Sequence, residues 1–171
     1  TDQSSFILTV TPVNDAPVLD DILPQTTDED IVLTLDLSAN DIEGNPLSFS
    51  AFVDGNGSAS VDGTLLTVTP ALDYNGDIQV TVEVSDGELT DQTLFILTVT
   101  PVNDAPILAE IDPQITDEDV ALSLEISAND VDGDELSFSA FVDGNGSAII
   151  EGTLLTVTPA LDYNGDIQVT V

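Results

Sequence analysis

Short acidic runs recur along this chain of 171 residues, and their spacing suits the binding of a hard metal ion. Residues 130–134 read DVDGD, with an oxygen ligand at every second position and a glycine for the bend. Residues 41–45 read DIEGN and also have an oxygen at each of those positions, although the side chains differ. Calcium takes six to eight oxygen ligands from Asp, Glu, Asn and backbone carbonyls. Each run is therefore a candidate calcium ligand set, and a solvated acidic turn is the alternative.

Further candidate ligands lie in other short segments. Residues 28–30 read DED, residues 73–77 read DYNGD, and an Asn-Asp pair occurs at 14–15 and again at 103–104. The predicted metal ligands are Asn14, Asp15, Asp28, Glu29, Asp41, Glu43, Asp73, Asp86, Asn103, Asp104, Asp130, Asp132 and Asp134. Asp54 and Asp143, each in a DGNG segment, are interpreted instead as turn residues.

The charge balance excludes several classes of partner. Lys, Arg and His are absent while Asp and Glu number 33, so the formal net charge is −33. Nothing in the chain can neutralise phosphates, which excludes nucleic-acid binding through a basic surface. A polybasic patch for anionic membranes is excluded for the same reason. Zinc and copper are poor candidates because His and Cys are missing, whereas bound calcium would relieve the repulsion among the carboxylates.

Enzymatic activity is not expected of this composition. Without His, Cys and Lys there is no Ser-His or Cys-His pair and no Schiff-base lysine. A carboxylate pair of the glycosidase kind is the mechanism that remains. Residues 62–64, Asp-Gly-Thr, resemble an aspartic-protease loop in altered order, but they lie in a predicted hairpin turn and their copy at 151–153 reads Glu-Gly-Thr.

The elements that must position these acidic runs belong to a tandem repeat. Residues 6–82 align with residues 95–171 without a gap, at an offset of 89 residues, and 60 of the 77 aligned positions are identical. A fixed period of this length indicates an array of one structural unit. Three segments follow: residues 1–13 as the last strand of a preceding repeat, residues 14–102 as a complete repeat, and residues 103–171 as a second repeat that stops before its last strand.

Alternation of apolar and polar residues predicts β-strands throughout the repeat. The clearest case is 78–84, with aliphatic side chains at 78, 80, 82 and 84, and residues 31, 33, 35 and 37 are predicted to share another buried face. Seven strands are predicted in the complete repeat, at 18–23, 31–37, 47–53, 58–61, 64–69, 78–84 and 93–100. Seven short strands separated by Gly-containing turns indicate an all-β fold, an immunoglobulin-like sandwich.

This topology sorts the acidic runs between the two ends of a repeat. If successive strands run alternately down and up, residues 28–30 and 73–77 lie at the bottom, and residues 41–45 and Asp86 lie at the top. The bottom carboxylates of one repeat would then face the top carboxylates of the next, with Asn103 and Asp104 threading between them. Carboxylates left bare so close together would repel each other by several kcal/mol at low effective dielectric, which favours a shared calcium ion.

The motifs at the boundary and in the loops carry a resemblance to a known family. They are VNDAP at the boundary, DED before the second strand, AND-x-[ED]-G after it, LDYNGD before the sixth strand and VSDG after it. Through them essentially the whole chain resembles the cadherin-like tandem repeats of very large bacterial surface proteins and adhesins. The resemblance implies β-sandwich repeats joined by short linkers that bind calcium.

The resemblance also implies roles for individual residues. In cadherins an Asn-Asp linker binds calcium together with an early glutamate, an LD-type aspartate, a D-x-D pair and a later D-x-G aspartate. By motif, Asn103 and Asp104 resemble the linker, Glu29 the early glutamate and Asp73 the LD-type aspartate. Asp130 and Asp132 resemble the D-x-D pair, and Asp86 resembles the D-x-G aspartate.

The expected function is that of a structural repeat module of an extracellular prokaryotic adhesin or surface filament. Calcium would stiffen neighbouring repeats, of the same or an identical chain, into a rod that projects from or links cells. One alternative is a calcium-dependent carbohydrate- or protein-binding module at the cell surface. No apolar run approaches the length that spans a membrane, so direct membrane insertion is not expected.

The second repeat lacks the sequence of its last strand, which leaves two possibilities. The preferred one is that the chain is a window on a longer array. The other is a self-assembling fibre subunit, in which a neighbouring chain supplies the missing strand by β-strand complementation and forms a homopolymeric filament. In that case residues 6–11 are the candidate donor, because FILTVT recurs at 95–100 as the predicted last strand.

Overall fold

The computed structural model describes residues 1–171 and divides into two compact units, Thr1–Val102 and Asn103–Val171. Both units consist of β-strands and turns, as the alternation of apolar residues predicts. No helix in the structure has the length and hydropathy needed to cross a bilayer.

Unit 1 is a sandwich of a four-stranded and a three-stranded sheet. The first has the order β2-β9-β8-β5, the second has the order β3-β7-β6, and a short ladder joins β1 to β4. The nine strands are β1 (Val18–Leu19), β2 (Gln25–Asp28), β3 (Leu33–Asp36), β4 (Ala39–Asn40), β5 (Ser48–Val53), β6 (Gly57–Asp62), β7 (Leu65–Pro70), β8 (Gly76–Ser85) and β9 (Thr90–Thr100).

The core of unit 1 lies between these two sheets. Four inward side chains of β8 are completely buried: Ile78, Val80, Val82 and Val84. They pack in one cluster with Leu66 and Val68 of β7, in the opposite sheet. The period-two prediction for residues 78–84 is therefore confirmed, and the strand extends slightly at both ends because β9 pairs with it from Gly76 to Ser85.

Strand β9 occupies the middle of the four-stranded sheet. It runs antiparallel to β8 and parallel to β2, with Leu97 opposite Ile78 on one side and Gln25 on the other. Its inward side chains Phe95, Leu97 and Val99 are buried. The last strand of the repeat is therefore paired with a strand near its start, and its inward side chains lie in the core of the sandwich.

The strand predicted at 18–23 forms only at Val18–Leu19, as β1. A second strand, β2, follows at Gln25–Asp28 and belongs to a different sheet: β1 pairs with β4, and β2 pairs with β9. The chain crosses from one sheet to the other through residues 20–24. Pro24 lies in this crossing, where its missing N–H breaks no ladder hydrogen bond.

The predicted buried face of residues 31–37 is only partly correct. Ile31 is 56 % exposed, whereas Leu33 and Leu35 are half-buried and Leu37 is buried. Strand β3 begins only at Leu33, because residues 28–31 form a turn in which the Ile31 N–H donates to the Asp28 carbonyl. Asp30 at the centre of this turn has a φ of 60°.

Unit 2 repeats part of this arrangement. Its three-stranded sheet has the order β11-β15-β14, and two short ladders pair β10 with β12 and β13 with β16. Its buried core consists of Ile126, Leu155 and Val157. The seven strands are β10 (Ile107–Leu108), β11 (Leu122–Glu125), β12 (Ala128–Asn129), β13 (Phe141–Val142), β14 (Gly146–Glu151), β15 (Leu154–Pro159) and β16 (Val169–Thr170).

Candidate functional site

The β8–β9 hairpin defines two ends of unit 1. At the upper end, Ser85 lies opposite Thr90 and the hairpin turn carries Asp86; at the lower end, Gly76 lies opposite Val99. The antiparallel strand β5 starts at the upper end, since Ser48 pairs with Ser85. Residues 41–45 precede β5 and residues 28–30 follow β2 at the lower end, so the acidic runs of this unit sort as the topology predicts.

Six residues at the upper end form what we call the upper cluster: Asn14, Asp15, Asp41, Glu43, Asn45 and Asp86. The Asn14 amide joins three of its segments. Its Nδ2 donates to Asp86 Oδ2 at 2.7 Å, and its Oδ1 accepts from Asn45 Nδ2 at 2.7 Å. The Asp15 backbone N–H donates to Glu43 Oε2 at 3.2 Å. The segment before β1 is therefore bound to two loops that lie far from it in sequence.

Asp41 presents an oxygen that the protein itself does not use. Its Oδ1 accepts the Asn45 backbone N–H at 2.9 Å. Its Oδ2 is buried and has no hydrogen-bond partner. A buried carboxylate oxygen without a partner is costly, and a bound cation would remove that cost. The oxygen-only donor set around it is the kind that calcium prefers, so these residues fit the ion.

Asp86 is held as a carboxylate by N–H donors. Its Oδ1 accepts from the backbone N–H groups of Leu89 and Glu88, each at 2.7 Å. These hydrogen bonds, together with the one from the Asn14 amide, lower the pKa of Asp86 below 3.8, because they favour the charged form.

The lower end of unit 1 carries a second group, the lower cluster: Asp28, Glu29, Asp30 and Asp73. Glu29 is only 5 % exposed and accepts the Val102 backbone N–H through Oε1. Asp28 accepts from the Thr100 hydroxyl. Asp30 accepts the Asp73 backbone N–H at 3.1 Å. The lower cluster thus joins two acidic loops to the last residues of unit 1.

Backbone geometry in the lower cluster is repeated in unit 2. Asp30 and Asp73 have φ values of 60° and 54°, in the left-handed region that Asp tolerates better than most residues. Their copies Asp119 and Asp162 have φ values of 64° and 55°, and the Asp162 N–H donates to Asp119 Oδ1 at 2.8 Å. The same two-loop contact therefore forms in both units.

The first residues of unit 2 fold against its DVDGD loop. The Asp104 N–H donates to Asp132 Oδ2 at 2.8 Å. Asp130 Oδ1 accepts the N–H groups of Asp132 and Asp134, at 3.1 and 3.2 Å. The Asn103 amide donates to the Asp104 carbonyl at 2.9 Å. All five predicted ligands of this unit therefore lie in one connected group.

The structure thus places the thirteen predicted ligands in three groups, each within one unit. Asn45 and Asp30 belong to the DIEGN and DED runs but are not among the thirteen, and the structure brings both into these groups. The repeat already points to Asn45, because its copy at the aligned position is the predicted ligand Asp134. Asp54 and Asp143, interpreted as turn residues, accept the N–H groups of Gln79 and Gln168 and lie outside these three groups.

Comparison with known protein families gives two matches along this chain. The family model described as a bacterial Ig domain matches residues 14–98 and again residues 103–171. Among curated proteins, chitinase A of Pseudoalteromonas piscicida is 27 % identical over 131 residues, which is 74 % of this chain and 16 % of the chitinase. The chain therefore spans about one sixth of that enzyme's length.

Several solved structures are similar to the chain at low sequence identity. Drosophila N-cadherin EC1-4 has a TM-score of 0.48 and 17 % identity, over 90 % of this chain and 43 % of that one. Human protocadherin-24 EC1-2 has a TM-score of 0.42 and 18 % identity, over 90 % and 82 %. An endo-fucoidan hydrolase of glycoside hydrolase family 107 has a TM-score of 0.44 and 18 % identity, over 90 % and 25 %.

Proposed function

The chain belongs to the bacterial Ig domain family, and we propose that it is a non-catalytic structural repeat of an extracellular adhesin or surface filament. In this proposal calcium binds at the acidic ends of the repeats. The bound ion holds the linker between consecutive repeats in one conformation, so that the array becomes a rod. The lack of any basic side chain supports this role, because cations from solution are then the remaining means of neutralising 33 carboxyl groups.

The observation that carries the proposal is the unpaired oxygen of Asp41. It lies beside two Asn side chains that hydrogen bonds already hold, and we propose that the surrounding oxygen atoms close around a cation that enters. Ordered ligands lose little conformational entropy when they bind. Asp41 Oδ2, Glu43, Asp86 and the amide oxygens of Asn14 and Asn45 are the atoms of unit 1 that could hold the ion.

The mechanism is thermodynamic linkage acting on the linker. Glu29 binds the N–H of Val102, and Asp132 binds the N–H of Asp104, so a single residue, Asn103, separates two backbone positions already held by carboxylates. An ion that binds these carboxylates only when the linker is ordered shifts the population toward the ordered form. Its stabilising effect at a concentration of 100 times Kd is about 2.7 kcal/mol.

The test compares the thermal unfolding of matched variants in calcium and in chelator. In the native chain we expect calcium to raise Tm by at least several degrees. Asp41→Asn, which keeps the shape of the side chain and removes its charge, should lose much of this increase. Asp62→Asn, which removes the same charge from the exposed end of β6, outside the clusters, should retain it. An equal response of the two variants to calcium would refute the assignment of Asp41.

The match to chitinase A favours a second candidate, a calcium-dependent carbohydrate-binding module. That protein's name indicates action on chitin, and the matched segment covers only a small part of it. The scarcity of aromatic residues, 5 % with no Trp, weighs against this role, because sugars are commonly held by stacking on aromatic rings. Co-sedimentation with insoluble chitin in calcium, and its loss in chelator, would support this candidate over a pure spacer.

A further inference from the structure

The outward face of the four-stranded sheet in unit 1 carries a group of five uncharged side chains, which we call the outer strip. Phe52, Thr81 and Leu94 lie in one row, because Phe52 pairs with Thr81 across β5 and β8, and Thr81 pairs with Leu94 across β8 and β9. Gln79 and Ile96 form the next row toward the lower end of the unit. All five alternate along their strands with side chains of the core, so they lie on the opposite face of the sheet.

The apolar side chains of the outer strip are open to solvent. Phe52 is 55 % exposed and Leu94 is 47 % exposed. The pair recurs in unit 2, where Phe141, the copy of Phe52, is 69 % exposed and lies opposite Thr170, the copy of Thr81. Contacts between aromatic and β-branched side chains on neighbouring strands stabilise a sheet. An exposed aromatic ring with aliphatic neighbours also offers a surface on which a ligand can pack.

Carboxylates border the outer strip and are absent from it. Glu83 lies in the row toward the upper end, and Asp77 lies in the row toward the lower end. Asp54 lies beside Gln79 and accepts its backbone N–H at 3.1 Å. In a chain with 33 acidic and no basic side chains, this border repels anionic polymers and other copies of the chain. The strip therefore favours an uncharged partner.

Polar side chains in and beside the strip suit the hydroxyl groups of a sugar. Gln79 and Gln92 are exposed and donate their backbone N–H groups to Asp54 and Asp91, which leaves their side-chain amides for a ligand. An amide both donates and accepts hydrogen bonds, as a sugar hydroxyl does. The ring of Phe52 can stack on the apolar face of a sugar ring. The strip therefore combines the two kinds of contact that a neutral sugar makes.

The spacing of the strip fits an extended chain of sugars. Neighbouring strands lie about 4.8 Å apart, which is close to the length that one sugar adds to an extended β-1,4-linked polysaccharide. Phe52, Thr81 and Leu94 lie on three neighbouring strands. A polysaccharide that crosses the strands would therefore place successive sugars over successive side chains of this row.

We propose that the outer strip is a binding site for extended, uncharged polysaccharides. The site is separate from the acidic clusters, and binding there does not depend on calcium. It would add attachment along the side of the sandwich to the spacing role proposed above. One aromatic ring in the strip predicts weak binding, so insoluble polysaccharides, which present many parallel chains, are the suitable probes.

Co-sedimentation with microcrystalline cellulose and with chitin tests the site through a matched pair of variants. The native chain should bind at least one of the two equally well in calcium and in chelator. Leu94→Asp should weaken binding by about tenfold or more, whereas Leu65→Asp, which adds the same charge at a similarly exposed leucine of the other sheet, should change it far less. No binding by the native chain, or equal losses in the two variants, would overturn the proposal. Binding only in calcium would also overturn it and would place the sugar at the acidic clusters.

Substitution of Phe52 gives a second test that does not add a charge. Phe52→Ser should weaken binding, and Phe52→Trp, which offers a larger ring for stacking, should retain or strengthen it. Equal losses in these two variants would contradict the stacking role. Sedimentation velocity without polysaccharide tests the other occupant, a second copy of the chain. Association that Leu94→Asp weakens and Leu65→Asp does not would assign the strip to self-association and overturn the polysaccharide proposal.

Discussion

Two asparagines take the place of basic side chains in the upper cluster. Asn14 and Asn45 donate amide hydrogens within a group that contains Asp41, Glu43 and Asp86, and their carbonyl oxygens remain suitable metal ligands. A lysine or arginine there would neutralise the carboxylates permanently and would exclude a cation. Amides order the acidic side chains without doing so, which is the arrangement expected of a site that takes its charge from solution.

The lowered pKa of Asp86 predicts a pH dependence of stability. Because the folded state favours its charged form, Asp86 contributes stability that is fully present above its unfolded pKa of about 3.8 and is lost as pH falls through the lower folded value. In chelator, Asp86→Asn should therefore lower Tm relative to the native chain near neutral pH, and the difference should shrink below about pH 3.8.

Thermal unfolding of both chains between about pH 2.5 and pH 7 measures this difference in Tm directly. The sign of the pKa shift sets the direction in which the difference should change. The other carboxyl groups are the same in both proteins, so their contributions largely cancel in the difference. A gap in Tm that stays constant down to the lowest pH would show that Asp86 acts through something other than its charge.

At the scale of elements, β9 is expected to dominate the stability of unit 1. Leu97→Ala removes a fully buried side chain from the centre of the sandwich and should cost about 2–5 kcal/mol of the free energy of unfolding. Leu94→Ala in the same strand is the control, because Leu94 is 47 % exposed; its cost should be within about 0.5 kcal/mol. Urea unfolding of both variants checks the contrast, and similar losses would contradict the assigned faces of the strand.

Strands whose apolar faces are buried could be predicted from the sequence, and strands defined by a distant partner could not. Strand β8 has four aliphatic residues at a period of two, and all four are completely buried. Strand β2 reads Gln-Thr-Thr-Asp and carries no such pattern; it is a strand because β9, some 70 residues later, pairs with it. For the same reason the sequence predicted a single strand over 18–23, whereas the chain changes sheets between β1 and β2.

The candidate site was predictable in its composition but not in its contacts. Topology alone sorts the acidic loops of unit 1 between its ends, and the structure agrees. The Asn14 bridge, the buried Asp41 Oδ2 and the Glu29 contact with Val102 depend on side-chain orientation, which spacing does not encode. Asp30 lies in the predicted DED run, but its hydrogen bond to the Asp73 N–H, made from a turn of positive φ, could not be read from spacing.

At the scale of the whole molecule, net charge sets the conditions for assembly. A chain with 33 carboxyl groups and no basic side chain repels its own copies at low ionic strength. Calcium bound at the repeat ends, as proposed above, would reduce this repulsion.

The central claim is that calcium restricts the linker between repeats, and small-angle scattering measures this most directly. The native chain is the suitable sample, measured at several concentrations so that any association between copies can be separated from the effect of calcium. Calcium and chelator should be compared at matched ionic strength, so that screening is the same in both. We predict a longer maximum dimension and a narrower distance distribution in calcium, and a shorter, broader one in chelator. Indistinguishable scattering in the two conditions would contradict the account and leave the acidic clusters as ordinary solvated loops.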